Sequence, residues 1–221
     1  RYATSGGYGT NGAFYWSASG NKDLTWEKSK NFNIGLDWTL FNRVSLTFEY
    51  YNKLTTDLLF STPISYITGF SSKMNNLGKL RNSGLEFTLS SQNIKTKDFS
   101  WTTSLVYSHT KTEITSLASR DRAIDLITNF GGRREGYPVR ALFSIPFVRL
   151  NEDGMPVLIN EAGEETTYDI NFQEREKLDF LKYEGPTDPT VQGSFGNMFK
   201  WKGFTLNCFI TYSFGNVVRL D

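Results

Sequence analysis

Residues 31–51 alternate between apolar and polar side chains on both sides of a short link at residues 41–43. The apolar positions are Phe32, Ile34, Leu36, Trp38, Leu40, Val44, Leu46, Phe48 and Tyr50. Successive side chains of a β-strand point to opposite faces, so a period of two gives a strand two different faces. The pattern therefore predicts a β-hairpin with one apolar, aromatic face and one small, polar face.

The same alternation predicts further long strands along the chain. The expected strands lie at about 26–40, 43–60, 77–91, 98–114, 193–201 and 203–215. In the fourth of them, for example, Trp101, Leu105 and Tyr107 alternate with serine, threonine and valine. Most of these segments are much longer than the usual strand of about 5–6 residues. We therefore expect an all-β protein with unusually long strands.

The expected connections alternate between short and long. Short links fall at 41–43, 92–97 and 200–203, and long ones at 61–75 and 117–190. In an antiparallel sheet this order places all short links at one end and all long ones at the other. Outer-membrane barrels have this asymmetry, with short periplasmic turns and long extracellular loops.

The remaining segments carry weaker signals. Residues 117–190 contain one expected hairpin, in which 147–150 and 155–159 flank a turn with an Asp-Gly pair. The best helical segments, 120–129 and 172–182, lie in the same long connection. Residues 1–24 are expected to form a loop, with the end of an earlier strand near residues 14–16.

Composition narrows the class of protein. Apolar residues make up 38% of the chain and aromatic residues 15%, and this balance suits a thin apolar band better than a thick core. The net charge of +1 predicts no nucleic-acid partner, and a single cysteine excludes an intrachain disulfide. No apolar run is long enough for a transmembrane helix, but a barrel strand needs only about 9–11 residues.

Alternation alone fits a β-sandwich and a barrel equally well, because the polar face can meet water or line a lumen. The strand lengths and the asymmetry of the connections favour the barrel. Six strands are too few to close one, since closed barrels have at least about eight. We therefore expect antiparallel strands that form part of a large transmembrane β-barrel with long extracellular loops.

Several motifs resemble those of the SusC/RagA-like TonB-dependent transporters of Bacteroidetes outer membranes. They are residues 21–29 (NKDLTWEKS), 32–37 (FNIGLD), 50–53 (YYNK), 55–59 (TTDLL), 76–78 (NLG), 82–87 (NSGLEF), 136–138 (GYP), 151–156 (NEDGMP), 185–187 (GPT) and 193–204 (GSFGNMFKWKGF). Each motif is weak by itself, but their order and spacing over residues 5–215 are specific. The chain is thus identified as a barrel fragment of this family.

The resemblance implies a 22-stranded barrel with a plug, in the outer membrane of a Gram-negative bacterium. It implies import of glycans or peptides with a SusD-like surface lipoprotein, with energy from the TonB complex acting through parts outside this chain. Membrane lipid would be a further partner. The sequence shows no TonB box, plug domain or terminal strands, so residues 1–221 are expected to form a central-to-late part of the barrel. The alternative is a soluble, β-rich carbohydrate-binding module.

Candidate site residues all have plainer interpretations. Oxygen-bearing side chains at residues 151–153 and 160–165 lack the ligand spacing of an EF-hand, so a solvated turn is favoured over weak calcium binding; they are Asn151, Glu152, Asp153, Asn160, Glu161, Glu164 and Glu165. The carboxylates of Asp37, Glu49 and Glu86 are expected to line the lumen opposite Arg or Lys rather than to hydrolyse glycosides.

Other reactive residues are expected to have structural roles. His109 and Cys208 share the apolar face and are expected to pack or to face lipid. The Gly-rich basic segment 131–134 lacks the strand–turn–helix context of a phosphate loop. Loop aromatics could stack on a sugar or pack loops together; these are Tyr66, Phe70, Tyr137 and Phe143. No catalytic residue, resident metal or other cofactor is predicted, the protein is not expected to be an enzyme, and its substrate-contacting residues are not assigned.

Overall fold

The computed structural model describes residues 2–5, 13–16, 20–118 and 121–220. The strands are β1 Tyr2–Ser5, β2 Ala13–Trp16, β3 Lys28–Leu40, β4 Val44–Pro63, β5 Ser72–Lys95, β6 Phe99–Leu117, β7 Ala141–Ser144, β8 Phe147–Leu150, β9 Pro156–Ile159, β10 Glu165–Thr166, β11 Lys182–Pro186, β12 Val191–Trp201 and β13 Phe204–Phe214. The helical elements are α1 Ala123–Leu126 and a 3₁₀ turn Tyr66–Thr68. Among the described residues, neither helix has the length and apolarity to cross a membrane.

Six long strands form one antiparallel sheet in the order β13-β12-β6-β5-β4-β3. Its short links, at 41–43, 96–98 and 202–203, share one end, which we call the turn end. The connections 64–71 and 118–190 share the other, which we call the loop end. The fold class is therefore as predicted: mostly β and antiparallel, with the asymmetry of connections that led us to expect a barrel.

The structure corrects the bounds of the middle strands. β4 continues to Pro63 and β5 runs from Ser72 to Lys95, so the connection expected at 61–75 shrinks to 64–71 and the turn expected at 92–97 shrinks to 96–98. The polar composition of residues 71–76 suggested a loop. In the sheet, Thr62 Oγ1 donates to the Lys73 carbonyl at 3.0 Å and accepts from Asn75 Nδ2 at 2.7 Å. Side-chain hydrogen bonds thus support polar residues within a strand.

The alternation of side chains is in register across all six strands and gives the sheet two faces. The cross-strand register aligns Leu36, Phe48, Phe87 and Tyr107 on one face, followed by Gly193 and Tyr212. We call this the apolar face. The neighbouring register row, on the opposite side of the sheet, aligns Gly35, Glu49, Glu86, Ser108, Gln192 and Ser213. We call this the polar face.

The apolar face has no second layer packed on it from this chain. Leu36 is 57% exposed, Trp38 55% and Ile210 63%. A β-sandwich would bury these side chains against a second sheet, so the sandwich alternative fails at this point. The buried apolar residues in the described part of the chain lie mainly in the long connection 118–190.

That connection folds into a small unit, which we call the loop subdomain. Its core contains Ala123, Leu126, Ala141, Phe143, Leu178 and Leu181. β7 pairs with β11, and β8, β9 and β10 form a three-stranded sheet. The hairpin predicted around residues 151–154 is therefore present as β8 and β9.

The helix predictions in this region are largely wrong. Segment 120–129 contains only the four-residue α1, and 172–182 contains turns and the start of β11. The backbone N–H groups of Arg175, Glu176 and Lys177 donate to the Glu174 carboxylate at 2.8–3.1 Å. These N–H groups therefore bond to a side chain and do not begin an α-helix in segment 172–182. In residues 1–24, expected to be mainly loop, β1 pairs with β2.

Asn76 of β5 ties the segment before β3 to the sheet. Its Nδ2 donates to the carbonyls of Thr25 at 2.9 Å and Asp57 at 2.6 Å, and its Oδ1 accepts from the Thr25 N–H at 2.8 Å. Asp57 has a positive φ of 59° at an irregularity of β4 and pairs with Lys28 at 3.1 Å. Three of the sequence motifs therefore meet at one place in the structure.

Candidate binding site

The polar face carries carboxylates that lack the expected partners. The register places Glu49 directly opposite Glu86, and Asp37 accepts a hydrogen bond from Thr47 Oγ1 at 2.7 Å. None of the three forms an ion pair with the residues that the structure describes. Within this sheet the register therefore places Glu49 opposite Glu86 and Asp37 opposite Thr47, and the expectation of Arg or Lys across the lumen stays a prediction.

The loop subdomain packs over the polar face at the loop end. The Phe60 ring covers Gly78, where an added Cβ would lie 2.8 Å from a ring carbon. Gly78 has the same strand parity as Glu86, so this ring lies on the polar face. The Arg133 guanidinium stands 4.9 Å from the centre of the Phe60 ring and pairs with Asp121 at 3.2 Å. Arg133 thereby joins the subdomain to the sheet.

The upper part of β6 provides a second attachment. β12 pairs with β6 only as far as His109, and beyond that point the loop subdomain takes its place. The Ile114 N–H donates to the Tyr137 carbonyl at 2.9 Å, and the Ile114 carbonyl accepts from the Gly136 N–H at 2.8 Å. The Ile114 side chain is buried. Two backbone hydrogen bonds and a buried side chain thus hold the start of the subdomain to the strand edge.

A cavity of about 880 Å³ lies between the β4–β5 connection and the loop subdomain. We call it the arginine cavity. It is lined by Ser61, Thr62, Tyr66, Ser71, Asp121, Arg122, Asp125, Phe130, Gly131, Gly132, Arg133, Val139, Arg140 and Arg175. Its size falls within the range of about 300–1,000 Å³ that is usual for small-ligand pockets.

Ion pairs hold Arg122, Arg133 and Arg140 in place at this cavity. Arg122 binds Asp125 in bidentate fashion at 2.9 and 2.8 Å and reaches Gln173 at 2.9 Å. This hydrogen-bonded arginine lowers the pKa of the Asp125 carboxyl, and burial opposes the effect. Arg140 pairs in the same way with Asp188, through Nε at 3.0 Å. Guanidinium groups fixed in this way present their remaining donors in a set direction.

The loop aromatics have two different environments. Phe143 is fully buried and its ring centre lies 5.0 Å from that of Tyr137, so these two pack the subdomain. Tyr66 and Phe130 line the arginine cavity and are 83% and 80% exposed. Packing is therefore observed for Tyr137 and Phe143, whereas Tyr66 and Phe130 present exposed rings to the cavity, and sugar stacking stays a prediction.

The other candidates are placed as follows. Segment 131–134 joins two parts of the loop subdomain. Gly132 forms a β-bridge with Ala141, and Arg134 pairs with Asp179 at 2.5 Å. Cys208 is exposed on the apolar face, and the register puts His109 between Leu85 and Val191 on the same face.

The acidic turns are organised by their asparagines. Asn151 Oδ1 accepts the N–H groups of Asp153 and Met155 at 3.1 and 2.8 Å. Asn160 Oδ1 accepts those of Ala162 and Glu164 at 3.0 and 2.9 Å. Within the described ranges, no group of three or more His, Cys, Asp or Glu residues is placed to hold a metal ion.

Sequence reasoning missed the arginine cavity. Its residues are scattered over 61–71, 121–140 and 175 and share no motif. The available signal was a set of arginines in a connection that otherwise carries a small apolar core. This signal could not be turned into a site without knowing which segments meet.

Comparisons with known proteins agree on one family. The sequence model of the family described as "TonB dependent receptor-like, beta-barrel" matches residues 1–221. The chain is 30% identical over 215 residues to TonB-dependent receptor P3 of Formosa agariphila, covering 90% of this chain and 21% of that protein. It is 29% identical over 217 residues to TonB-dependent receptor SusC of Bacteroides thetaiotaomicron, covering 91% of this chain and 21% of SusC.

Solved structures give the same result. A chain from the structure of the RagAB peptide transporter matches with a TM-score of 0.77 and 25% identity, over 98% of this chain and 24% of that chain. The chain therefore spans about a fifth of the length of its curated relatives and about a quarter of this structural relative.

Proposed function

The chain belongs to the TonB-dependent receptor-like β-barrel family, and we propose that it is part of an outer-membrane importer of glycans or peptides. One observation carries the proposal: a sheet with an exposed apolar face bears, at one end of its polar face, a cavity lined with fixed arginines and exposed aromatic rings. The apolar face suits lipid and the polar face suits an aqueous lumen. The turn end then faces the periplasm and the loop end the exterior.

We propose that substrate is delivered by a SusD-like lipoprotein and that the TonB complex supplies energy through parts outside this chain. The relationship to SusC and to the RagAB peptide transporter supports this assignment. The loop end, which carries the subdomain and the arginine cavity, is the side that a surface lipoprotein can reach.

The arginine cavity is the proposed substrate contact. Tyr66 and Phe130 offer ring faces to a sugar or to an apolar peptide side chain, and the arginines offer donors to carboxylates or carbonyls. Both substrate classes fit this chemistry. We propose no catalytic role for the cavity, and its side chains are assigned to binding alone.

The test is binding by the full-length protein with its lipoprotein partner. Replacing Tyr66 and Phe130 by Ala should weaken binding of an oligosaccharide or peptide mixture about fivefold or more, since truncating a central aromatic contact costs above about 1 kcal/mol. Tyr168→Ala is the control, because Tyr168 is 90% exposed and lies outside this cavity. Unchanged affinity in the double variant would remove the cavity from the binding path.

The competing function, a soluble carbohydrate-binding module, predicts a different solution behaviour. The full-length protein should need detergent to remain monodisperse, since the apolar face is exposed over all six strands. Monodispersity in plain buffer would reverse the choice between the two functions.

We further propose that any calcium bound by the loop subdomain is weakly held. The side-chain oxygens of Asn151 and Asn160 already accept backbone N–H groups, which leaves mainly exposed carboxylates as ligands. Calorimetric titration of the full-length protein with Ca²⁺ tests this expectation, and submicromolar affinity would contradict it.

A further inference from the structure

Two residues of the arginine cavity, Arg133 and Arg140, are brought side by side by a β-bridge. Gly132 and Ala141 exchange both backbone hydrogen bonds, at 3.0 and 3.2 Å. Arg133 follows Gly132 on one segment and Arg140 precedes Ala141 on the other, so the antiparallel bridge places them at neighbouring positions. Both side chains line the same cavity. Like charges at such positions are unfavourable unless other groups compensate them.

Each of these guanidinium groups is compensated by a carboxylate of its own. Arg133 donates from Nε and Nη2 to Asp121 at 3.3 and 3.2 Å. Arg140 donates to Asp188 from Nε at 3.0 Å and also from Nη2. In both side chains Nη1 makes no hydrogen bond with the residues that the structure describes. Two neighbouring arginines are therefore fixed in orientation and keep uncommitted donors at one cavity.

Net charge does not distinguish the cavity, because carboxylates nearly balance its arginines. Asp188 reaches the cavity through Arg140, and Glu135 and Glu176 line an adjoining cavity together with Arg134. A general attraction for anions is therefore not expected. The selective feature is local and consists of the Nη1 donors of Arg133 and Arg140. The charged side chains that line the arginine cavity itself are Asp121, Arg122, Asp125, Arg133, Arg140 and Arg175.

Exposed aromatic rings line the cavity beside this arginine pair. Phe130 precedes the bridge by two residues and shares the cavity with Tyr66. Gly131 allows the close approach, since its φ is +73° and an added Cβ would lie 2.9 Å from the Ala141 carbonyl oxygen. A sugar ring has an apolar face that can lie on an aromatic ring. An acidic peptide side chain is an anion on a flexible stem and has no such face, so the combination of rings and arginines favours an acidic sugar.

We propose that Arg133 and Arg140 form a clamp for the carboxylate or sulfate group of an acidic glycan, whose sugar rings stack on Phe130 and Tyr66. The planar guanidinium group matches the geometry of an oxyanion, and charge-assisted hydrogen bonds are about twice as strong as neutral ones. The ion pairs to Asp121 and Asp188 orient the clamp before the glycan arrives, which reduces the ordering that binding requires. This inference rests on the proposed function, because it names the substrate class of the cavity assigned there to binding.

The test uses the full-length protein with its lipoprotein partner in a nonionic detergent. The probe is a mixture of short uronate-containing and sulfated oligosaccharides, beside the same mixture after carboxyl reduction and desulfation. Native mass spectrometry identifies the bound sugars, and separate uronate and sulfated fractions show which anion the clamp takes. The wild type should prefer the acidic mixture about tenfold or more. Arg140→Gln should lower this preference about threefold or more, and Arg133→Gln/Arg140→Gln should abolish it.

Arg149→Gln is the matched control. Arg149 pairs with Glu165 in the same loop subdomain, its side chain is 59% exposed against 52% for Arg140, and it lies outside the arginine cavity. This variant loses the same charge and the same kind of ion pair, so it should bind as the wild type does. If the double variant fails the heat-modifiability test of barrel folding, Arg140→Gln is the decisive variant, because its ion pair is exposed.

The possible outcomes separate the clamp from the proposed function. Equal binding of the acidic and neutral mixtures, or equal losses in Arg140→Gln and Arg149→Gln, would overturn the clamp. If the neutral mixture still binds and Tyr66→Ala/Phe130→Ala weakens it, only the clamp is lost and the proposed function stands. Stronger binding of a glutamate-rich peptide than of the acidic sugars would overturn the choice of a glycan. Binding that neither the arginine nor the ring variants change would overturn both proposals.

Discussion

Arginine at position 36 should destabilise the protein far more than arginine at position 33, because the two side chains lie on opposite faces of β3. Leu36 lies in the middle of the apolar stretch of this strand, four residues from both Phe32 and Leu40. Its side chain is 57% exposed, so the substitution removes no buried core contact. Four residues span about 13 Å along a strand, or about 10 Å of depth at a tilt of about 40°. In the membrane position proposed for this sheet, Leu36 is therefore close to the bilayer midplane.

The expected cost of Leu36→Arg follows from this depth. Arg at the midplane of a barrel costs about 2–4 kcal/mol. Asn33 has the opposite parity and is paired with Tyr51 on the polar face, so Asn33→Arg should cost less than about 1 kcal/mol. The difference between the two variants depends on facing alone, because strand, residue type and added charge are the same.

The assay is reversible urea unfolding of the full-length protein in lipid vesicles, followed by tryptophan fluorescence and heat-modifiable electrophoresis. Vesicles are needed, since a detergent micelle deforms around a charge more easily than a bilayer. Equal losses of stability at the two positions, or a larger loss at 33, would refute the assignment of the apolar face to lipid.

Three further predictions concern local contacts. Asn76→Ala removes two hydrogen bonds to Thr25 in the segment before β3 and one to the Asp57 carbonyl of β4. It should cost about 1–3 kcal/mol, with faster amide exchange at residues 20–27. Gly84→Ala should cost about 1–3 kcal/mol, because the added Cβ would lie 2.4 Å from the His109 carbonyl oxygen and 2.6 Å from the Tyr51 hydroxyl. The control is Gly35→Ala, whose Cβ would have its nearest contact at 3.5 Å; it should lose less unfolding free energy in the same urea titration. The pKa of the Asp125 carboxyl is lowered below its usual 3.8. The ionised carboxylate therefore stabilises α1 above pH 3.8, and this stabilisation is lost as the pH falls through the lowered pKa. Amide protection at residues 123–127 should drop over that range in the wild type, and the drop should be absent in Asp125→Asn.

The long strands were predictable because each carries its own periodicity. Leu36 and Phe48 are placed on the same face by parity, whatever the sheet contains elsewhere. The strand ends were less predictable, since residues 72–76 are polar and their strand conformation depends on contacts with β4. Thr62 and Asn75 satisfy each other only after the two strands have paired.

The binding site was beyond sequence reasoning for a different reason. Arg133 is placed by Phe60, which is 73 residues away, and Arg140 by Asp188, so neither position follows from local patterning. The failed helix predictions have the same origin. Segment 172–182 has helix-forming residues, but Leu178 and Leu181 are held in the core of the loop subdomain by partners from α1 and β7.

The distribution of buried side chains explains why the sheet depends on its surroundings. Apolar burial is the main favourable term in folding, yet the described core lies largely in the loop subdomain, and the six strands expose their apolar side chains. β3 and β13 each have one edge unpaired within the described sheet, and unpaired backbone groups are costly in lipid. In the function proposed above, lipid supplies the apolar environment that a globular protein finds in its own core, and neighbouring strands supply the missing hydrogen bonds. The subdomain, by contrast, buries Phe143 and Leu126 completely, so its stability depends on side-chain packing within the chain.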